Sequence, residues 1–175
     1  MKDEPKFVID TMLGRLARWL RILGYDVVYH RKMEDWKILR LADEENRIII
    51  TRDRGLHRRA MNKGLKSILL ETDDMAERLA IIAFRAGIRL YIDLDRTRCP
   101  ICNTPLIRVD KEKVKDIVPP RVYRLHDDFW LCPKCHKAYW VGSHWNKIEE
   151  ILREARKIYE KIKKERMREI SWIET

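Results

Sequence analysis

Residues 47–53 read RIIITRD, a run of three isoleucines that halts on Thr51, Arg52 and Asp53. Consecutive β-branched residues without polar alternation mark a strand buried on both faces, the habit of a parallel sheet. An earlier stretch, KFVID (6–10), has the same form and also ends on an aspartate, Asp10. Around these two, strand and helix patterns alternate through residues 1–95. TMLGRLARWLRILG (11–24) spaces Leu13, Leu16, Ala17, Leu20 and Leu23 as one apolar stripe, with Gly24 as its C-cap. DVVYH (26–30) reads as a second strand, and EDWKILRLADEEN (34–46) as a helix turning Ile38, Leu39, Leu41 and Ala42 inward. RGLHRRAMNKG (54–64) is a short helix, KSILL (66–70) a further strand, and IRLYI (88–92) a fifth. DDMAERLAIIAFRAG (73–87) is a helix with Asp74 and Glu77 at capping-box spacing. Such βαβα alternation predicts a mostly parallel sheet with helices on both faces. Right-handed crossovers then gather the strand carboxyl ends on one edge, where such sheets bind ligands. Asp10 and Asp53 both fall on that edge.

From Arg98 the character changes. Residues 96–145 hold all four cysteines, in two CPxC pairs, together with the Pro119-Pro120 break and a group of aromatics. Residues 146–175 place Ile148, Ile151, Leu152, Ala155, Ile158, Tyr159 and Ile162 on one face of an amphipathic helix. The expected division is therefore 1–95, 96–145 and 146–175. The chain carries 38 Lys+Arg against 28 Asp+Glu, a formal net charge of +10, which favours polyanionic partners. No signal-peptide pattern follows Met1, and no apolar run approaches the ~20 residues of a membrane span. These features read as a cytoplasmic chain without a membrane partner. Charged residues at 38% and the lack of any glutamine suggest a heat-adapted source.

Three acids, Asp10, Asp35 and Asp53, stand where helices begin. Each alone reads as an N-cap, because aspartate accepts from the free amides of a first turn. Carboxylates gathered on one sheet edge, however, repel one another and call for a divalent cation. Oxygen-only donors suit Mg²⁺ or Mn²⁺, ions that turn water into hydroxide and stabilise charge on phosphate. A phosphate-transferring aspartate would need a second Asp two residues beyond Asp10, where Met12 stands. No Gly-rich phosphate loop is present either.

FVIDTMLGRLARWLRILGYDV, EDWKILRLADEENRIIITRDRGL and YWVGSHW together resemble the Mut-seven C-terminal RNase domain, a branch of the PIN-like nucleases. The resemblance spans about residues 6–146. It implies a PIN-like α/β fold with strand order 2-1-3-4 and a metal-dependent ribonuclease site. By motif position it assigns Asp10 to the acid ending the first strand and Asp35 to the acid opening the helix before the third. Asp53 is the acid of the Thr-Arg-Asp signature. Where some relatives place another Asp two residues after that acid, this chain has Gly55, so a one-ion site stands beside a two-ion one. Asp73 and Asp74 are substitutes for a missing ligand only against their capping-box spacing.

Arg15 and Arg18 follow Asp10, Arg52 and Arg54 flank Asp53, and Arg58, Arg59 and Lys63 extend the strip. Such runs are usually solvated faces; beside an acid cluster, Arg15, Arg18, Arg52, Arg54 and Arg58 read as contacts to RNA phosphates. His57 reads as a surface or capping residue before a general acid–base. Cys99, Cys102, Cys132 and Cys135 supply the four thiolates of a structural zinc ribbon with a long excursion between its knuckles. His136 and His144 then remain non-ligands. Trp130, Tyr139, Trp140 and Trp145 read first as ribbon core and second as platforms for base stacking. Two functions follow as expectations: a Mg²⁺- or Mn²⁺-dependent ribonuclease, or an RNA-binding module whose acid site is vestigial.

Overall fold

A computed structural model describes residues 4–173, with side chains as far as Glu169. Four parallel strands, β1 (Phe7–Ile9), β2 (Val27–Val28), β3 (Ile48–Thr51) and β4 (Ser67–Leu69), form one sheet in the order β2-β1-β3-β4. The isoleucine run lies at its centre, between β1 and β4. Pleating divides the strand residues between two cores. Phe7, Ile9 and Ile50 face one of them, while Val8 and Ile49 face the other. The first lies under α1 (Gly14–Ile22) and α4 (Met75–Ala86); α2 (Asp35–Glu45) and α3 (Arg54–Asn62) close the second. Gly24 ends the turn after α1 at φ +95°, and a Cβ there would lie 2.8 Å from the Arg96 carbonyl oxygen. Glycine is required on both counts.

Residues 88–92 do not extend the sheet. Their backbone groups are engaged elsewhere. Arg89 N donates to the Tyr25 hydroxyl at 2.7 Å, and Leu90 O accepts from the Arg156 guanidinium at 2.6 Å. Ile88 and Leu90 are buried in the first core, which explains the strand-like pattern of a segment that is an irregular strap.

Residues 96–145 build a separate antiparallel sheet, β5 (Ile107–Val109), β6 (Phe129–Leu131) and β7 (Ala138–Tyr139). The excursion between β5 and β6 holds a 3-10 turn (Lys111–Val114) and α5 (Pro120–Leu125). Val114 and Val118 close over Phe129 as a small core of its own. This ribbon is pinned to the main sheet by buried polar groups. Arg21 donates to the carbonyls of Pro100 and Ile101, each at 3.0 Å, and to Val27 O at 2.9 Å. Asn103 donates to Asp26 at 2.9 Å and accepts from Val27 N at 3.0 Å.

The last helix, α6 (Trp145–Ile173), packs along α4. Leu152 and Ala155 are fully buried in the first core, so the proximal part of this helix is a wall of the sheet domain. None of the described helices is long and apolar enough to cross a membrane.

Candidate active site and metal centre

The register of β1 on β3 pairs Ile9 with Ile50, so Asp10 and Thr51 come next on the carboxyl edge. Asp10 N donates to Ile50 O at 3.0 Å, which extends the ladder one step past β1. The Asp10 carboxylate is buried and oriented from two sides. Thr11 N donates to Oδ1 at 2.6 Å, and Thr51 Oγ1 donates to Oδ2 at 2.8 Å. The same Thr51 hydroxyl accepts from Asp53 N at 2.9 Å. One fully buried threonine therefore links the two strand-end acids. The sequence marks Thr51 only as a hydroxyl residue that closes an otherwise apolar strand and opens the Thr-Arg-Asp signature.

Asp53 is exposed and serves as the N-cap of α3. Its Oδ1 accepts from Gly55 N at 2.6 Å and Leu56 N at 3.0 Å. Oδ2 takes no hydrogen bond among the described residues, so capping leaves one carboxylate oxygen open to water. A Cβ at Gly55 would approach Asp53 Oδ1 to 3.0 Å. A side chain at 55 would therefore crowd the carboxylate. The glycine keeps the cap tight.

Asp35 does not cap α2. Glu34 occupies that position, and Asp35 is the first helical residue, ion-paired with Arg59 of α3. The three acids do not form a close triad: among the described residues, the four cysteines alone bring three or more potential ligand atoms within 4.8 Å of one another. The other nearby acids are likewise engaged by arginines. Asp73 pairs with Arg52 and Arg78, and Glu71 pairs with Arg54. Asp74 caps α4 by accepting from Glu77 N at 2.8 Å, the structural role its spacing predicted.

Of the arginines expected on phosphate, Arg52 and Arg54 are thus committed to carboxylates. Arg15, Arg18 and Arg58 are exposed and have no ion pair among the described residues. His57 lies 2.8 Å from the Ser67 hydroxyl at the start of β4, below the level of the acids.

The cysteines come from two knuckles of matching construction. Asn103 N donates to Cys99 O and His136 N to Cys132 O, each at 2.9 Å. Cys99 N donates to Thr104 O at 2.8 Å and Cys132 N to Lys137 O at 2.9 Å. The residue after each second cysteine, Asn103 or His136, takes positive φ, 69° and 55°. This tight turn points both thiols of each pair toward one centre, and Cys102 Sγ lies 3.4 Å from Cys132 Sγ. His136 is spent on turn geometry, which agrees with its exclusion as a ligand.

Four thiols so close oppose one another's ionisation. Hydrogen bonding to Cys102, and then burial, pushes Cys135 up to about 12. Burial works against ionising Cys102 too, but hydrogen bonding to Thr104 outweighs it and brings Cys102 down to about 6. Four sulfurs gathered within 4.8 Å of one another suit a metal ion such as zinc, whose charge removes the conflict. Tyr139, its hydroxyl 3.2 Å from Cys99 Sγ, has its pKa raised by burial first and by that sulfur second.

Fold and site define an α/β protein with a carboxylate-bearing strand edge and a tetracysteine ribbon docked beneath it. The chain belongs to the Mut7-C RNAse domain family, whose model matches residues 5–152. That membership supports a nuclease with RNA as its substrate. No curated protein and no solved structure gives a significant match.

Proposed function

We propose that the chain is a metal-dependent ribonuclease that hydrolyses RNA phosphodiesters at the edge bearing Asp10 and Asp53. The observation carrying this reading is the Asp10–Thr51–Asp53 chain: one buried hydroxyl donates to the Asp10 carboxylate and accepts from the Asp53 backbone N–H, and the Asp53 carboxylate keeps one oxygen open. The donor set is all oxygen, which fits Mg²⁺ or Mn²⁺ better than a softer ion. Asp10 and Asp53 would hold it, with Asp35 joining only on release from Arg59. Such an ion supplies an activated water and neutralises charge on the scissile phosphate. The protein's part is orientation. Thr11 N and Thr51 Oγ1 fix the Asp10 carboxylate, the cap fixes Asp53, and Arg15, Arg18 and Arg58 are free to seat backbone phosphates. Zinc bound by the four cysteines is structural on this reading, because four thiolates leave no position for substrate. Free thiols poised for a metal also fit a reducing, cytoplasmic setting.

A second reading, an RNA-binding module with a non-catalytic acid site, is favoured by one observation. Arginines already neutralise Asp35, Asp73 and Glu71, as they would where no cation is needed. Asp53→Asn separates the two readings. Asparagine keeps the Oδ1 acceptor of the cap and removes the charge, so the fold persists. Cleavage of single-stranded RNA in Mg²⁺ or Mn²⁺ should fall by orders of magnitude while RNA affinity holds. Wild-type protein that cleaves no RNA above the variant's background, yet binds it, establishes the second reading.

A further inference from the structure

The ribbon, the end of α1 and the start of α6 border an open cavity of about 820 Å³. It lies apart from the carboxylate edge. Trp130, Tyr139, Trp140 and Trp145 line it together with aliphatic side chains, and no Asp or Glu lines it among the described residues. In a chain with 28 acids, a large cavity without one is selective for anionic or neutral guests. Arg121 of α5 stands in its wall, exposed and without an acidic partner among the described residues. Trp130 is 94% buried, from 6% relative exposure, and its indole Nε1–H has no hydrogen-bond partner. That donor is sealed from solvent, so the Trp130 ring rather than its N–H is what a guest would meet.

From these features we infer that the cavity is a nucleotide subsite, taking one unstacked base of single-stranded RNA among its tryptophans and the adjoining phosphate at Arg121. Planar bases stack on aromatic rings. The position suits a strand that also reaches the acids. Asp10 precedes α1, while Ile22 at its other end lines the cavity. The nine-residue helix is about 13 Å long at ~1.5 Å per residue, a distance a few nucleotides cover. Trp140 and Trp145 are half-buried, retaining surface for a guest. Trp130 belongs to the packed core around the cysteines, where it would form the floor.

This inference rests on RNA being the substrate, and its test fails separately from catalysis. Zinc-loaded full-length protein carrying Asp53→Asn serves as the non-cleaving background, without divalent metal. Trp140→Ala and Arg121→Ala are added singly. Two probes are titrated: a single-stranded RNA octamer by anisotropy, and adenosine monophosphate by quenching of tryptophan fluorescence. Trp140→Ala should weaken octamer binding about tenfold or more, the effect of one stacked base. Arg121→Ala should lower both the affinity and its salt dependence. Saturable quenching by the mononucleotide that Trp140→Ala abolishes sustains the subsite even in a protein that cleaves nothing. Unaltered octamer affinity in both variants overturns it, whether or not the wild type is a nuclease. A wild-type dimer that Trp140→Ala dissociates also overturns it, because a second copy then fills the cavity.

Discussion

Thr51→Val tests the linkage at the centre of the acid edge. Valine has nearly the shape of threonine, so this fully buried position keeps its packing and loses only the hydroxyl. Two hydrogen bonds go with it, the 2.8 Å donation to Asp10 and the 2.9 Å acceptance from Asp53 N. A bond to an ionised carboxylate is worth ~1.5–3 kcal/mol and one between neutral groups ~0.5–1.5 kcal/mol. The loss should be about 3 kcal/mol. For a chain of this size each kcal/mol shifts the melting temperature by roughly 2–4 °C, giving a fall of about 6–12 °C. Thr51→Ser makes the opposite deletion, keeping both bonds and removing a methyl group, for about 1 kcal/mol. Far-UV circular dichroism melts of the zinc-loaded proteins should therefore rank wild type above serine and serine well above valine. A valine variant as stable as wild type, or more stable than serine, refutes the claim that the hydroxyl organises this edge.

Removing the ribbon metal with a chelator, or Cys132→Ser, should unfold residues 99–145 while the parallel sheet persists, seen as amide-exchange protection lost only in the ribbon. Arg15→Ala together with Arg18→Ala should flatten the salt dependence of RNA affinity by about 0.7 log units per lost phosphate contact, read by anisotropy across a salt series. Burial works against ionising Asp26, but hydrogen bonds from Arg47 and Asn103 outweigh it and hold the carboxyl below its ordinary value. Its contribution is therefore complete above the ordinary carboxylate pKa and is lost as pH falls through the lower folded value. Asp26→Asn should cost about 2–3 kcal/mol at neutral pH, less than a fully buried pair because Asp26 retains 24% exposure, and should flatten the stability loss between about pH 5 and 3 in urea titrations.

Local chemistry made much of this protein legible. Apolar runs of strand length, the stripe from Leu13 to Leu23 and the glycines closing helices depend only on near neighbours, so the alternation was readable before any coordinates, while the sheet order came only with the family resemblance. The CPxC pairs were as plain, since their spacing alone sets the knuckle turn. The strap at 88–92 was misread because Ile88 and Leu90 are buried like strand residues, while partners distant in sequence, Tyr25 and Arg156, take up its backbone.

What the tertiary structure decided is which charges meet. Nothing near Arg59 in sequence says that it pairs with Asp35, 24 residues away, or that Arg52 and Arg78 converge on Asp73. Asp10 lies 41 residues from Thr51, and their contact exists only because β1 and β3 are neighbours in register. The aromatic cavity likewise needs the docking of ribbon against helices, fixed by Arg21 and Asn103. Periodicity and capping are properties of a segment. Pairing of side chains across elements, and the space between them, arises only once the chain has closed on itself.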